Sequence, residues 1–129
     1  MESSARHVAA AVLVLDCAEP EQLAEFYGEL LGAEIPRERD LARIDITGSG
    51  GARMAFRRDN GAAPATWPRP DDSQQAHLQL LVPRADMDAI ERRVMDLGGR
   101  PLDTKDNDGT HDCRLYSDPA GHTFSLRSE

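Results

Sequence analysis

The chain has 129 residues, of which 40% are hydrophobic and 29% charged, with a net charge of −8. A sequence of this length forms one globular body that buries about two thirds of its unfolded surface, without a disulfide or metal staple. Its acidic balance argues against a nucleic-acid partner, which is met by a basic face. The longest apolar run, Val8 to Leu15, is far short of the ~20 residues a membrane helix needs.

No basic segment leading into a long apolar run opens the sequence, so no signal peptide is expected. The two cysteines, Cys17 and Cys113, fall in different predicted strands and are expected as free thiols. Both readings point to a cytoplasmic protein with no membrane partner.

In chain order, Val12 to Cys17 is an apolar strand, and Pro20 suits the first turn of the helix that follows. Leu23, Phe26, Tyr27, Leu30 and Leu31 form the apolar stripe of that helix, and Gly32 stops it. Ala33 to Pro36 is expected as a short strand, followed by the charged turn Arg37-Glu38-Arg39-Asp40. Leu41 to Thr47 alternates and predicts a half-buried strand. Gly48-Ser49-Gly50-Gly51 makes a hairpin connection, and Ala52 to Arg58 returns as a strand. Residues 59–75 are irregular and form a linker. Trp67 within it either anchors the linker on the core or lines a ligand pocket.

The second half repeats this grammar. His77 to Val82 is a strand stopped by Pro83, and Asp86 stands at a helix N-cap position. Met87, Ile90, Val94 and Leu97 make one apolar stripe, closed by Gly98. Arg100 to Thr104 is a strand, Asp106-Asn107-Asp108-Gly109 a polar turn, and Thr110 to Ser117 a further strand. Asp118-Pro119-Ala120-Gly121 is a strong β-turn signal, and His122 to Arg127 is the last strand. Leu31-Gly32 and Leu97-Gly98 end corresponding helices, so each half carries one copy of a repeated unit. The prediction is an α+β fold of two βαβββ modules, about 7–58 and about 76–128, in a single domain. Together they give an eight-stranded mixed sheet with both helices on its outer face.

The order of Val14-Leu15-Asp16-Cys17, Phe26-Tyr27, Leu31-Gly32, Trp67-Pro68, His77-Leu78 and Asp118-Pro119-Ala120-Gly121-His122 resembles the vicinal oxygen chelate superfamily. That superfamily includes glyoxalase I, the bleomycin-resistance proteins and the extradiol dioxygenases. The sequence looks most like its small, glyoxalase-like actinobacterial branch. The resemblance implies that the sheet curls into a cup and that binding members form it at a dimer interface, so a homodimer is expected. In metal-dependent members, four side chains on the cup floor hold a divalent metal. By this resemblance the four positions fall on Val12, Phe56 (within about one residue), His77 and Ser125. Valine and phenylalanine offer no lone pair, and a serine hydroxyl is a poor ligand for such an ion. His77 is the only surviving candidate, and no metal or other cofactor is expected.

Strand alternation predicts the lining of the remaining cup. Val12, Val14 and Asp16 come from the first strand, and Met54, Phe56 and Arg58 from the fourth. His77, Gln79 and Leu81 come from the fifth strand, and Thr123 and Ser125 from the last. His122 shares the parity of Phe124 and Leu126 and belongs to the helix side. His77, Gln79, Trp67, Phe56, Arg58, Val12, Val14 and Ser125 are therefore the candidate ligand-binding residues in a mostly apolar wall. The acidic balance and the aromatics Trp67 and Phe56 favour an apolar or cationic aromatic ligand. The primary expectation is a metal-independent small-molecule-binding protein. The alternatives are a metal-dependent lyase or dioxygenase acting on a vicinal-oxygen substrate, and a degenerate module acting through protein contacts. No catalytic residue is assigned.

Overall fold

The computed structural model describes residues 7–37, 40–59, 76–103, 107–108 and 111–129. The first half contains β1 (Leu13–Cys17), α1 (Pro20–Leu31), β2 (Arg43–Thr47) and β3 (Arg53–Arg58). The second contains β4 (Leu78–Val82), α2 (Met87–Asp96), β5 (Arg100–Asp103), the two-residue β6 (Asn107–Asp108), β7 (His111–Ser117) and β8 (Thr123–Ser128). Trp67 and most of the predicted linker lie outside the described residues.

The repeat seen in the sequence is a repeat of topology. In each half the opening strand pairs in parallel with the closing one, β1 with β3 and β4 with β8, and the other ladders are antiparallel. The strands form two mixed sheets rather than one eight-stranded sheet. The first has the order β1-β3-β2; the second runs β4-β8-β7-β5, with β6 attached to β7. β1 and β4, the strands through which the halves would join, each pair on one side only among the described residues.

Two further differences have local causes. Ala33 to Pro36 forms no strand. The chain leaves α1 through Gly32 in the left-handed conformation (φ 64°) and folds back, so that Ile35 packs over Gly28. Pro36 has no N–H to give a ladder. Asn107 and Asp108, expected in a turn, instead pair with Asp112 and His111.

Both helices end as expected. The Gly99 N–H bonds the Val94 carbonyl (2.8 Å) and the Gly98 N–H bonds that of Met95 (3.1 Å). This is the paired closure of a Schellman motif, with Gly98 at φ 107°. Asp86 precedes α2 but makes no side-chain cap bond. It closes a 3-10 turn instead, its N–H bonding the Pro83 carbonyl at 2.8 Å.

The core joins the sheets. Tyr27 of α1 stacks on Phe56 of the first sheet at 5.7 Å and meets Phe124 of the second edge-on at 5.9 Å. Phe26 meets Phe124 at 5.8 Å. Leu23, Ile44, Ile46, Met54, Met87, Val94, Tyr116 and Leu126 belong to the same cluster. No helix among the described residues is long and apolar enough to cross a membrane.

Candidate functional site

Between β1 and β4 lies a cavity of about 290 Å³, lined by Leu13, Leu15, Tyr27, Ala76, His77, Leu78, Gln79, His122 and Thr123. Two of the predicted ligand-binding residues, His77 and Gln79, stand in its wall. Ser125 adjoins it through register, because Gln79 faces Ser125 across the β4–β8 ladder and donates from its amide nitrogen to the Ser125 hydroxyl at 3.1 Å.

The first half is out of phase with the sequence prediction. Register partners share a face, and Val14 pairs with Ala55 while Leu15 pairs with Phe56. Phe56 therefore lies on the α1 side, fully buried under Tyr27, and does not line a cup. Met54 and Arg58 share its parity and leave the predicted cup with it. Val14 stands on the face opposite α1, Val12 precedes β1, and neither lines the cavity, which the alternate residues Leu13 and Leu15 reach instead. Alternation within one strand is legible from sequence. The register between strands forty residues apart is not, and a one-residue slip exchanges every side chain between faces.

The same register tests the superfamily's metal positions. The β3 residues that share the Val14 face are Ala55 and Arg57. A methyl group and a guanidinium cannot ligate, and Arg57 Nε already donates to Asp16 Oδ1 at 2.8 Å. Val12 brings no lone pair, and Ser125 is buried and bonded to Gln79. Among the described residues no group of three or more His, Cys, Asp or Glu side chains could hold a metal ion. The donor set does not fit the four-ligand site of metal-dependent members.

The most elaborate chemistry beside the cavity is a network that alternation did not find. The Asp118 carboxylate is fully buried. Its Oδ1 accepts from the backbone N–H groups of Ala120 (2.8 Å) and His122 (3.0 Å), which hold the Asp-Pro-Ala-Gly turn. Its Oδ2 accepts from the Tyr27 hydroxyl of α1 at 2.8 Å and lies 3.0 Å from His122 Nδ1. The other imidazole nitrogen, His122 Nε2, reaches across to the Asp16 carbonyl on β1 at 2.8 Å. One turn of the second half thus grips both a helix and an edge strand of the first. The signal was present in the Asp118-Pro119-Ala120-Gly121-His122 run, but a turn motif does not reveal which distant groups its side chains meet.

Burial of the His122 ring opposes its positive charge, but the hydrogen bond and charge of Asp118, then the Asp16 carbonyl and carboxylate, outweigh it and raise its pKa above the ordinary 6.5. Burial first, and the adjacent Asp118 charge second, push the Tyr27 phenol well above its usual range. Tyr27 therefore remains a neutral donor near neutral pH. Burial also raises the Cys17 thiol. Neither Cys17 nor Cys113 is in a disulfide.

A second charged cluster lies on the α2 face, and none of its members lines the cavity. Arg114 donates to Asp112 (2.6 Å), Glu91 (2.7 Å) and Asp88 (3.0 Å), and the Tyr116 hydroxyl shares the same Glu91 oxygen at 2.7 Å. These contacts fasten α2 to β7.

The fold is shared with several solved structures. The genomically encoded fosfomycin resistance protein of Listeria monocytogenes superimposes with a TM-score of 0.72 at 14% identity, over 95% of this chain and 92% of that one. A possible glyoxalase from Bacillus cereus gives 0.67 at 14% identity, over 93% and 98% of the two chains. A glyoxalase/bleomycin resistance protein/dioxygenase family enzyme from Burkholderia phytofirmans gives 0.70 at 11%, over 91% and 95%. Likeness at such identities establishes the architecture. Among curated proteins no sequence matches significantly. The sequence itself matches the family described as a glyoxalase-like domain over residues 12–127. The chain belongs to that family, and with it to the vicinal oxygen chelate superfamily.

Proposed function

We propose that the chain is a metal-independent small-molecule-binding protein of the glyoxalase/bleomycin-resistance type, holding an apolar or cationic aromatic ligand between β1 and β4. The observation that carries this reading is the cavity itself: an apolar wall of Leu13, Leu15 and Leu78 interrupted by a few polar groups, the usual make-up of a small-molecule site. The donor set supports metal independence, since three of the four superfamily positions bring no competent ligand. Phe56 lies in the core and Tyr27 borders the cavity at 1% exposure, so the open wall is mainly aliphatic. The net charge of −8 favours a cationic ligand over an anionic one and speaks against nucleic acid as a partner. Fold relatives named for fosfomycin and bleomycin resistance support a small organic ligand. The reading places the protein in the cytoplasm, acting as a homodimer.

The test is calorimetric titration of a panel of neutral and cationic aromatic compounds, with and without prior chelation, beside elemental analysis and a Leu13→Trp variant that fills the cavity. Saturable binding that survives chelation and is lost in Leu13→Trp is the expected result. Near-stoichiometric divalent metal, with binding lost on chelation, would overturn the proposal and direct attention to lyase or dioxygenase chemistry. Size-exclusion chromatography with light scattering checks the dimer.

A further inference from the structure

The two nitrogens of the His122 ring face acceptors: Nδ1 meets both Asp118 carboxylate oxygens, at 3.0 and 3.2 Å, and Nε2 the Asp16 carbonyl at 2.8 Å, and none of these oxygens has a proton to give. The carbonyl is an acceptor only. The Asp118 oxygens are committed as acceptors as well, Oδ1 to two backbone N–H groups and Oδ2 to the Tyr27 hydroxyl. Both ring contacts are hydrogen bonds at once only if the ring carries two protons. A neutral ring satisfies one and leaves two lone pairs facing each other at the other, a mismatch that is part-buried at Asp118 and exposed at Asp16.

The arrangement also spans the seam between the two sheets. Asp118 and His122 belong to the turn before β8, and Asp16 belongs to β1. β1 has no strand pairing with the second sheet among the described residues. Besides the aromatic packing of α1, the His122–Asp16 bond is a direct polar tie across the cavity's edge, and its two flanks, Leu15 and His122, both line the cavity.

We propose that His122 is a proton-operated latch: as an imidazolium it ties β1 to the second half of the fold, and loss of its proton releases the Asp16 carbonyl and loosens the cavity wall. His122 is the ring at this junction whose pKa its partners raise, and the groups that face it come from each neighbouring element. Asp118 lies on its own turn. From β1 come the Asp16 carboxylate, ion-paired with Arg57 of β3, and the Cys17 thiol. From α1 comes Tyr27, whose phenol stays protonated. His77, preceding β4, is the other imidazole on the cavity wall, and its resonance must be resolved from that of His122.

The sign follows from linkage. A ring whose pKa is raised in the closed form contributes its full stabilisation below its ordinary value of 6.5 and loses it as pH rises through the raised one. Release of β1 grows about tenfold for each unit by which the closed pKa exceeds the open one. Only the consequence for ligand affinity rests on the cavity assignment made above; the release of β1 does not.

The experiment is side-chain ¹⁵N NMR of the histidines in the full chain, together with amide hydrogen exchange of Leu13 to Cys17, both followed as pH rises from slightly acid to alkaline. The expected result is two protonated nitrogens on His122 at its ordinary midpoint and a titration above it. Protection of the β1 amides, corrected for intrinsic exchange, falls with the same midpoint. His122→Gln, which keeps a donor toward Asp16 but has no titration, gives a flat profile. A single neutral tautomer, a β1 midpoint that does not coincide with the His122 titration, or an unchanged pH profile in His122→Gln overturns the latch. Because the first two outcomes are read on the unaltered protein, a variant that fails to fold leaves the test intact. Fluorescence of the neutral apolar dye 1-aminoanthracene, titrated across the same range, separates the two readings. A latch that titrates without changing saturable dye binding refutes the cavity assignment alone.

Discussion

Replacing Tyr27 by phenylalanine removes one oxygen and nothing else from a buried junction between the two halves of the fold. Tyr27 is 1% exposed, and Asp118, its acceptor, is also 1% exposed. The ring contributes its stacking on Phe56 and its edge contacts with Phe26 and Phe124 with or without the hydroxyl. The variant therefore isolates a single hydrogen bond to a buried carboxylate, a class worth about 1.5–3 kcal/mol. Asp118 keeps its two backbone donors and His122, so the loss belongs toward the middle of that range, about 2 kcal/mol. For a chain of this size the unfolding entropy is roughly 0.27 kcal/mol/K, so the expected fall in Tm is about 7 °C. Calorimetry and urea denaturation of wild type and Tyr27→Phe check it, with an unchanged urea m-value showing that the native fold is retained. A fall of less than about 2 °C, in a range where a single surface change would do as much, would refute the reasoning. It would mean that the carboxylate is satisfied without Tyr27. A double-mutant cycle with His122→Gln should show the two bonds to be coupled, because both end on Asp118 Oδ2.

The remaining expectations are narrower. Urea midpoints measured from pH 5.5 to 9 should decline as pH rises through the raised His122 pKa, and His122→Gln should remove that component of the decline. Gly99→Ala would bring a Cβ within 2.6 Å of Val94 Cγ1 and 3.0 Å of the Val94 carbonyl, with Phe26 at 3.3 Å. The overpacking should cost about 1–3 kcal/mol in denaturant melts. Arg114→Met strips Glu91 and Asp112 of their shared partner, which is only 13% exposed, and should cost about 1–2 kcal/mol. Asp88, at 81% exposure, adds little to that figure.

The helices, their stops and the repeated unit were legible because their determinants are local. Pro20 at the start of α1, glycines at positive φ beyond both helices and the apolar stripe of Leu23, Phe26 and Tyr27 all act within a few residues. The strands were legible to within a residue or two at their ends. What the sequence did not reveal depends on pairings between distant segments. The face occupied by Phe56 follows from the register of β3 on β1. The break between the sheets follows from the absence, among the described residues, of a second pairing on β1 and β4. Ala33 to Pro36 looked strand-like by composition, yet tertiary packing of Ile35 on Gly28 claimed it. At the candidate site alternation named His77 and Gln79, yet Leu78 between them lines the cavity as well. Leu13, Leu15, Tyr27 and His122 were missed because three separate elements bring them together.

The two unjoined edge strands have a consequence for how this architecture tolerates change. β1 pairs only with β3 and β4 only with β8 among the described residues, so each turns its other row of peptide groups toward the seam where the cavity lies. Peptide donors and acceptors are the same in every sequence, whatever side chains surround them. A pocket flanked by such rows keeps part of its recognition surface through almost any substitution. Side-chain turnover then retunes the shape and charge of the wall without dismantling it. Solved structures that share this outline at only 11–17% identity show that the architecture itself survives such turnover.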